Sequence, residues 1–124
     1  MTGVIFYPLL CIIGGIGYCF LEILWRGYTH WSMAAAGAIS LVFMGFLCLN
    51  FPQIPTIFKS MISAIFITAV ELVFGIVFNM ILKLNVWNYS GEKYNFLGQI
   101  CLQYTFLWFL LSFFIIILLE KIIN

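Results

Sequence analysis

An all-α integral membrane fold, a bundle of four transmembrane helices with short loops, follows from three observations on the sequence. Hydrophobic residues make up 65% of the 124-residue chain and charged residues 7%, with a mean hydropathy of +1.19, a balance at which a soluble domain would aggregate. The apolar residues gather in four runs, each near the roughly 20 residues that a helix needs to cross the hydrocarbon core. Between the runs lie RGYTHW (26–31), FPQIPT (51–56) and LNVWNYSGEKYN (84–95), which hold turn formers and headgroup-level aromatics. The expected organisation is one membrane domain, 1–124, with helices at about 4–25, 32–50, 58–81 and 96–119. That arithmetic leaves no room for a soluble enzyme domain.

The first run, Val4 to Trp25, lacks the positive start and small-x-small cleavage pattern of a secretory signal, so a retained first helix is expected. Gly14, Gly15 and Gly17 thin it, and small residues at such spacings let a second helix approach closely in lipid. Helical steps back from Arg26 reach Glu22, Tyr18, Gly15 and Cys11, one small or polar stripe that should face the bundle interior. Glu22 and Arg26, four apart, can also pair along the helix. His30 reads as an interfacial hydrogen-bonding group rather than a ligand. The second run, Ser32 to Asn50, opens on Ala34, Ala35, Ala36 and Gly37, carries no charge and reads as a packing helix. Pro52 and Pro55 then end it and fix a short turn.

The third run is centred on Glu71. Lys59 and Lys83 lie twelve residues to either side, which places the carboxyl roughly 18 Å from each as an interface marker, beyond the reach of snorkelling. Such a group must be paired, hydrogen-bonded or protonated. Ser60, Ala64, Thr68, Glu71, Gly75 and Asn79 share its face, so the third helix should carry a polar seam. Trp87, Tyr89 and Tyr94 in the following turn are expected at the interface. The fourth run, Phe96 to Leu119, has Gln99 and Gln103 near its start and an almost purely apolar second half. Two short segments, CFLEILW and AVELVF, hint at a duplicated two-helix unit.

With four alternating spans, the first and third turns share a side, and the polar residues converge there. The expected site is a one-sided polar pocket with Glu71 as its floor, roughly 15 Å below Ile81. Glu22, Gln99, Gln103 and Asn79 line it as ligand- or proton-binding groups, and Arg26, Trp87 and Tyr89 form its rim. A neutral Glu71 would donate a hydrogen bond; a charged one would bind a cation. The competing reading is that Glu71 joins helices through Gln99, Gln103 or Asn79. No nucleophile lies beside a base, so no catalytic residue is assigned and an enzyme is the less favoured reading.

The net charge of +1 and the lack of a basic run exclude a nucleic-acid partner. Cys11, Cys19, Cys48 and Cys101 all sit in apolar runs, without a C-x-x-C or a Cys/His cluster, so they read as small packing residues and neither a metal nor a cofactor is expected. The lipid bilayer and a second copy of the chain are the expected partners, together with a small ligand or cation. Lysine and arginine divide almost evenly between the two sides, which leaves insertion in either orientation open.

Several motifs carry a family resemblance. Gly17 and Glu22 at the end of the first helix, RGYTHWSM after it, Glu71, then VWNYS and NFLGQICL together resemble the CmpB-type putative ABC-transporter permease family, over about Gly17 to Leu119. The most specific stretch runs from VWNYS to GQICL. Asn88 stands where the family usually has Asp, which weakens any cation contact at that position. The resemblance implies a multi-pass protein of the bacterial inner (plasma) membrane, with Glu22, Glu71, Trp87, Tyr89, Ser90, Gly98 and Gln99 on motif positions. The chain has no Walker motif, so an ATPase would be a separate subunit. The function expected is a small permease or transporter-like protein, proton- or cation-linked. The alternative is a non-transporting subunit that binds or stabilises partner membrane proteins.

Overall fold

Away from water a chain must satisfy its own backbone polar groups, and a helix does so within one segment. Each of the four apolar runs accordingly forms a helix in a computed structural model, which describes residues 3–27 and 29–123 apart from the side chains of residues 3, 4 and 26. Helix α1 spans Gly3–Arg26, α2 Trp31–Asn50, α3 Thr56–Phe74 and α4 Leu102–Ile123. A π-helical stretch, Gly75–Ile81, extends α3, so that among the described residues four segments are long and apolar enough to cross a membrane: Ile5–Trp25, Trp31–Asn50, Thr56–Ile81 and Leu102–Ile123. His30 caps α2 by accepting from the Ser32 amide at 3.2 Å, which gives this residue a local structural use.

The fourth helix begins at Leu102 rather than at Phe96. Residues 96–101 instead belong to a folded connection in which strands β1 (Asn95–Phe96) and β2 (Ile100–Cys101) pair antiparallel, Asn95 opposite Cys101 and Phe96 opposite Ile100. The apolar count had absorbed this stretch into the helix. What ends the helix there is the Leu97-Gly98 turn, with φ of 56° and 72°, a left-handed conformation that no helix accepts.

Helix α1 packs on α2, α3 packs on α4, and α2 joins the two pairs. The α1–α2 contact runs backbone to backbone. A Cβ at Gly14 would lie 2.6 Å from the Gly37 carbonyl oxygen, and one at Gly37 would lie 2.5 Å from the Gly14 oxygen, so both positions require glycine. Gly17 is different: a Cβ there would meet nothing within 4 Å. Phe43 of α2 stacks on Phe66 of α3, centroids 3.9 Å apart. One buried cluster lies at the end of the bundle that holds the 51–55 turn and contains Phe6, Leu10, Met44, Cys48, Ile67, Ile116 and Leu119, and a second, Met33, Ala36, Val86 and Trp87, lies at the other end.

The α3–α4 contact is polar along its length. Thr68 and Thr105 share a hydroxyl hydrogen bond of 2.9 Å, and the buried Ser63 and Ser112 lie between this pair and the Lys59 end of the seam. There Lys59, 1% exposed, pairs with Glu120 at 2.5 Å, while the Thr56 hydroxyl donates to the same carboxylate at 2.6 Å. The sequence had cast Lys59 as an interface marker; the structure buries it against α4.

Two outcomes follow for stability in detergent. Gly37→Ala is expected to cost about 1–3 kcal/mol through overpacking, with Gly17→Ala near neutral, as read from denaturant-induced loss of helical circular dichroism. Glu120→Leu alone is expected to cost about 3–5 kcal/mol, and adding Lys59→Met should recover most of it, because the penalty lies in the buried Lys59 ammonium left unpaired.

Candidate functional site

Glu71 lies on the inner face of α3 and is 4% exposed. Both its oxygens are held. The Trp108 indole N–H donates to Oε1 at 2.8 Å from α4, and the Tyr89 hydroxyl donates to Oε2 at 3.1 Å from the 82–101 connection. An indole nitrogen has no acceptor capacity, so Oε1 is fixed as an acceptor whatever the protonation of the other oxygen. Burial, and after it the neighbouring Glu71 carboxylate, hold the Tyr89 hydroxyl above its ordinary pKa, which keeps it a donor at any physiological pH.

The connection reaches Glu71 because it is built to fold inwards. Lys83 and Asn85 adopt left-handed conformations, φ 56° and 54°, and reverse the chain directly after the π-helical stretch. Asn79 on that stretch accepts from the Val86 amide at 2.6 Å and donates to Gln99 Oε1 at 2.8 Å. Gln99 presses against Gly75, where a Cβ would lie 2.6 Å from Oε1. The Trp87 indole donates to the Gln99 carbonyl at 2.8 Å, and the Tyr89 amide donates to the Gly98 carbonyl at 2.7 Å. Tyr89 also stacks on Tyr104, centroids 4.8 Å apart and nearly parallel. Residues 86–99 thus form a cap over Glu71. A π-helical turn is a common means of re-aiming side chains near functional positions.

Of the residues singled out from sequence, Glu71, Asn79, Gln99, Trp87 and Tyr89 come together in this one network. Trp87 is buried and Tyr89 half-buried, so neither behaves as the interfacial anchor that its residue type suggested. Gln103 is exposed on the first turn of α4, away from the network. Glu22 is half-buried on α1, one turn beyond Tyr18, and the Arg26 side chain lies outside the described residues. Asn79, Gln99, Trp87 and Tyr89 pack as a cap rather than stand around an open funnel, because each finds a hydrogen-bond partner within the chain.

Space reaches Glu71 from another direction. A cavity of about 520 Å³ lies between α1 and α4, with α2 and α3 behind it, and Glu71, Tyr18 and Trp108 form its polar part. Tyr18 and Trp108 meet edge to face at 5.8 Å. Apart from Ser40 the remaining wall is apolar, and includes Gly14, Gly17 and Phe20 of α1 and Leu111 and Ile115 of α4. Among the described residues, no three His, Cys, Asp or Glu side chains gather as a metal site.

Trp108 escaped the sequence reading. Its signal was available: a tryptophan in the interior of an apolar helix, far from the interfacial belt, needs an acceptor for its N–H. Glu120 was passed over because it stands beside Lys121 near a helix end, where carboxylates are ordinarily solvated.

A family model described as Putative ABC-transporter type IV matches residues 2–124. Comparison with curated proteins and with solved structures returned no match.

Trp108→Phe is expected to destabilise the protein by about 1–3 kcal/mol, because it removes the indole hydrogen bond to Glu71 Oε1 in a buried site. Tyr89→Phe should cost less, since the tyrosine sits nearer the surface. Chemical denaturation in one detergent, followed by circular dichroism, checks the order.

Proposed function

This chain belongs to the family described as Putative ABC-transporter type IV, and we propose that it works as a small integral membrane permease or transporter-like component whose pocket, centred on Glu71, takes up a proton or a cation. The observation that carries this reading is that a carboxylate buried to 4% exposure lines a cavity while two neutral groups, Trp108 and Tyr89, hold its oxygens. Such a group keeps the capacity to gain a proton or to face a cation, and ionisable residues inside a membrane commonly serve those ends. In this reading Asn79 and Gln99 are positioning residues that hold the cap on which Tyr89 is mounted. The inner membrane of a bacterium is the proposed location, and the ATPase would be a separate subunit.

One observation favours a second reading. Asn79, Gln99 and Trp87 spend their hydrogen bonds on one another, as expected of a membrane subunit whose polar seam holds its own fold and whose outer faces bind partner proteins. Glu71→Gln separates the two. In proteoliposomes under an imposed pH gradient, with an internal pH-sensitive dye, the transporter reading expects the variant to insert and fold as the parent does while losing the protein-dependent proton flux. Loss of folding with no parental flux to lose would favour the subunit reading instead.

A further inference from the structure

We propose that the cavity between α1 and α4 seats one acyl chain of a membrane phospholipid, lying along the helix axes with its methyl end towards Trp108. Such a site asks nothing of the Glu71 carboxylate and is independent of whether Glu71 carries a proton or joins helices.

The wall calls for hydrocarbon. Its polar members are Glu71, Tyr18, Trp108 and Ser40, and each is engaged within the fold. Trp108 and Tyr89 donate to the two Glu71 oxygens, Ser40 donates to the Ala36 carbonyl at 2.8 Å, and Tyr18 meets Trp108 edge to face. The rest of the lining is Gly, Ala, Val, Leu, Ile, Met and Phe. A charged or hydrogen-bonding ligand would shed its water here and gain no partner in return.

The dimensions are those of one tail. The lining runs from Leu10 to Leu21 on α1 and from Trp108 to Ile122 on α4, roughly 16 and 21 Å at helical rise. One leaflet's share of a ~30 Å hydrocarbon core is roughly 15 Å, so the cavity is about as long as a lipid tail and runs parallel to it. Its volume is about 520 Å³. A helix with its side chains, about 10 Å across, would displace roughly 1,200 Å³ over the same length. A helix of a second copy therefore covers the mouth without filling the space.

The way in is from the bilayer. Ile13 and Phe20 of α1 and Leu118 of α4 are exposed along the outer edge, within the spanning segments, where the surroundings are lipid tails. The cap covers the Glu71 end, with Trp87 and Gln99 only 4% and 7% exposed. The tail accordingly belongs to the leaflet on the side of the 51–55 turn, where Leu10 and Ile122 line the cavity. Apolar burial gives no preference between the bilayer and this cavity, so the gain is dispersion, from wall atoms that a gap would deprive of neighbours.

Native mass spectrometry of the full chain, purified in dodecyl maltoside and titrated with palmitoyl-oleoyl phosphatidylcholine, tests this. The expected result is one phospholipid per chain that binds first and survives the activation that strips further lipids. Gly17→Leu, whose side chain enters the cavity without meeting a neighbour at Cβ, should weaken that first binding by about tenfold or more while keeping the parental helicity. Leu118→Trp, at the exposed edge of α4, repeats the test at a position where misfolding is not at issue. Dihexanoyl phosphatidylcholine, with the same head group and tails too short to reach Trp108, should compete poorly. Uptake without a distinct first site, or a first site indifferent to both substitutions, overturns the proposal, because only annular lipid would then be present. Equal competition by the dihexanoyl lipid overturns it too, since the head group would be what is read. If the parent is an oligomer that Gly17→Leu splits, a second copy occupies the cavity and the proposal falls.

Discussion

A carboxyl group placed midway through an apolar helix is the constraint on which the rest of this structure depends. Leaving it in hydrocarbon without partners costs several kcal/mol, and the partners must come from elsewhere in the fold. One comes from α4, where Trp108 stands level with Glu71. The other comes from a connection that would otherwise lie at the membrane surface. To bring Tyr89 within 3.1 Å of Glu71, the chain loosens the end of α3 into a π-helical stretch, turns through two left-handed residues and folds residues 86–99 inwards. Asn79, Gln99 and Trp87 then serve to satisfy that descending backbone. Irregular backbone at membrane depth is tolerated only when buried in protein, and in the cap Val86, Trp87, Gly98 and Gln99 are buried while the tip of the connection stays exposed.

The same economy governs the α3–α4 seam. Lys59 with Glu120, Thr68 with Thr105 and Glu71 with Trp108 are matched pairs along two antiparallel helices. In lipid, where apolar burial gives no preference between helix and tail, such pairs fix which helix lies beside which. The α1–α2 pair reaches the same end through Gly14 and Gly37, by close backbone contact. Helices α1 and α4 meet through the Trp25 indole, which donates to the Tyr104 hydroxyl at 3.4 Å, and the Tyr18–Trp108 ring contact, and beside those contacts the cavity opens. The division between sealed and open contacts is therefore written in the residues that each interface carries.

Much of the fold was legible in the sequence, because membrane spans announce themselves by length and hydropathy. The close approach of α1 was readable from Gly14 and Gly15, and the polar face of α3 from helical spacing. Hydropathy could not separate residues 96–101 from α4, since a short hairpin of Phe, Leu, Ile and Cys looks apolar whether or not it is helical; only Leu97-Gly98 marks the break. Trp87 and Tyr89 were misplaced for a related reason. Aromatic residues beside a span ordinarily sit at the headgroups, and nothing local reveals that a buried carboxylate eighteen residues upstream of Tyr89 draws one of them in. Lys59 and Glu120 are distant in sequence, so their pairing follows only from the antiparallel register of α3 and α4. The grouping of Glu71 with Asn79 and Gln99 was anticipated, whereas the cavity on the α1–α4 side was not, because it is set by how closely two helices distant in sequence approach.

The account turns on Glu71 being closed to water by the cap and open towards lipid, and chemical modification tests that most directly. The purified protein in nanodiscs would be treated in parallel with a membrane-soluble and a water-soluble carbodiimide, and Glu71 adducts quantified by peptide mass spectrometry. The account predicts modification of Glu71 by the membrane-soluble reagent alone, with the water-soluble reagent becoming effective once Tyr89→Ala opens the cap. Modification by the water-soluble reagent in the parent protein, or by neither reagent, would contradict it.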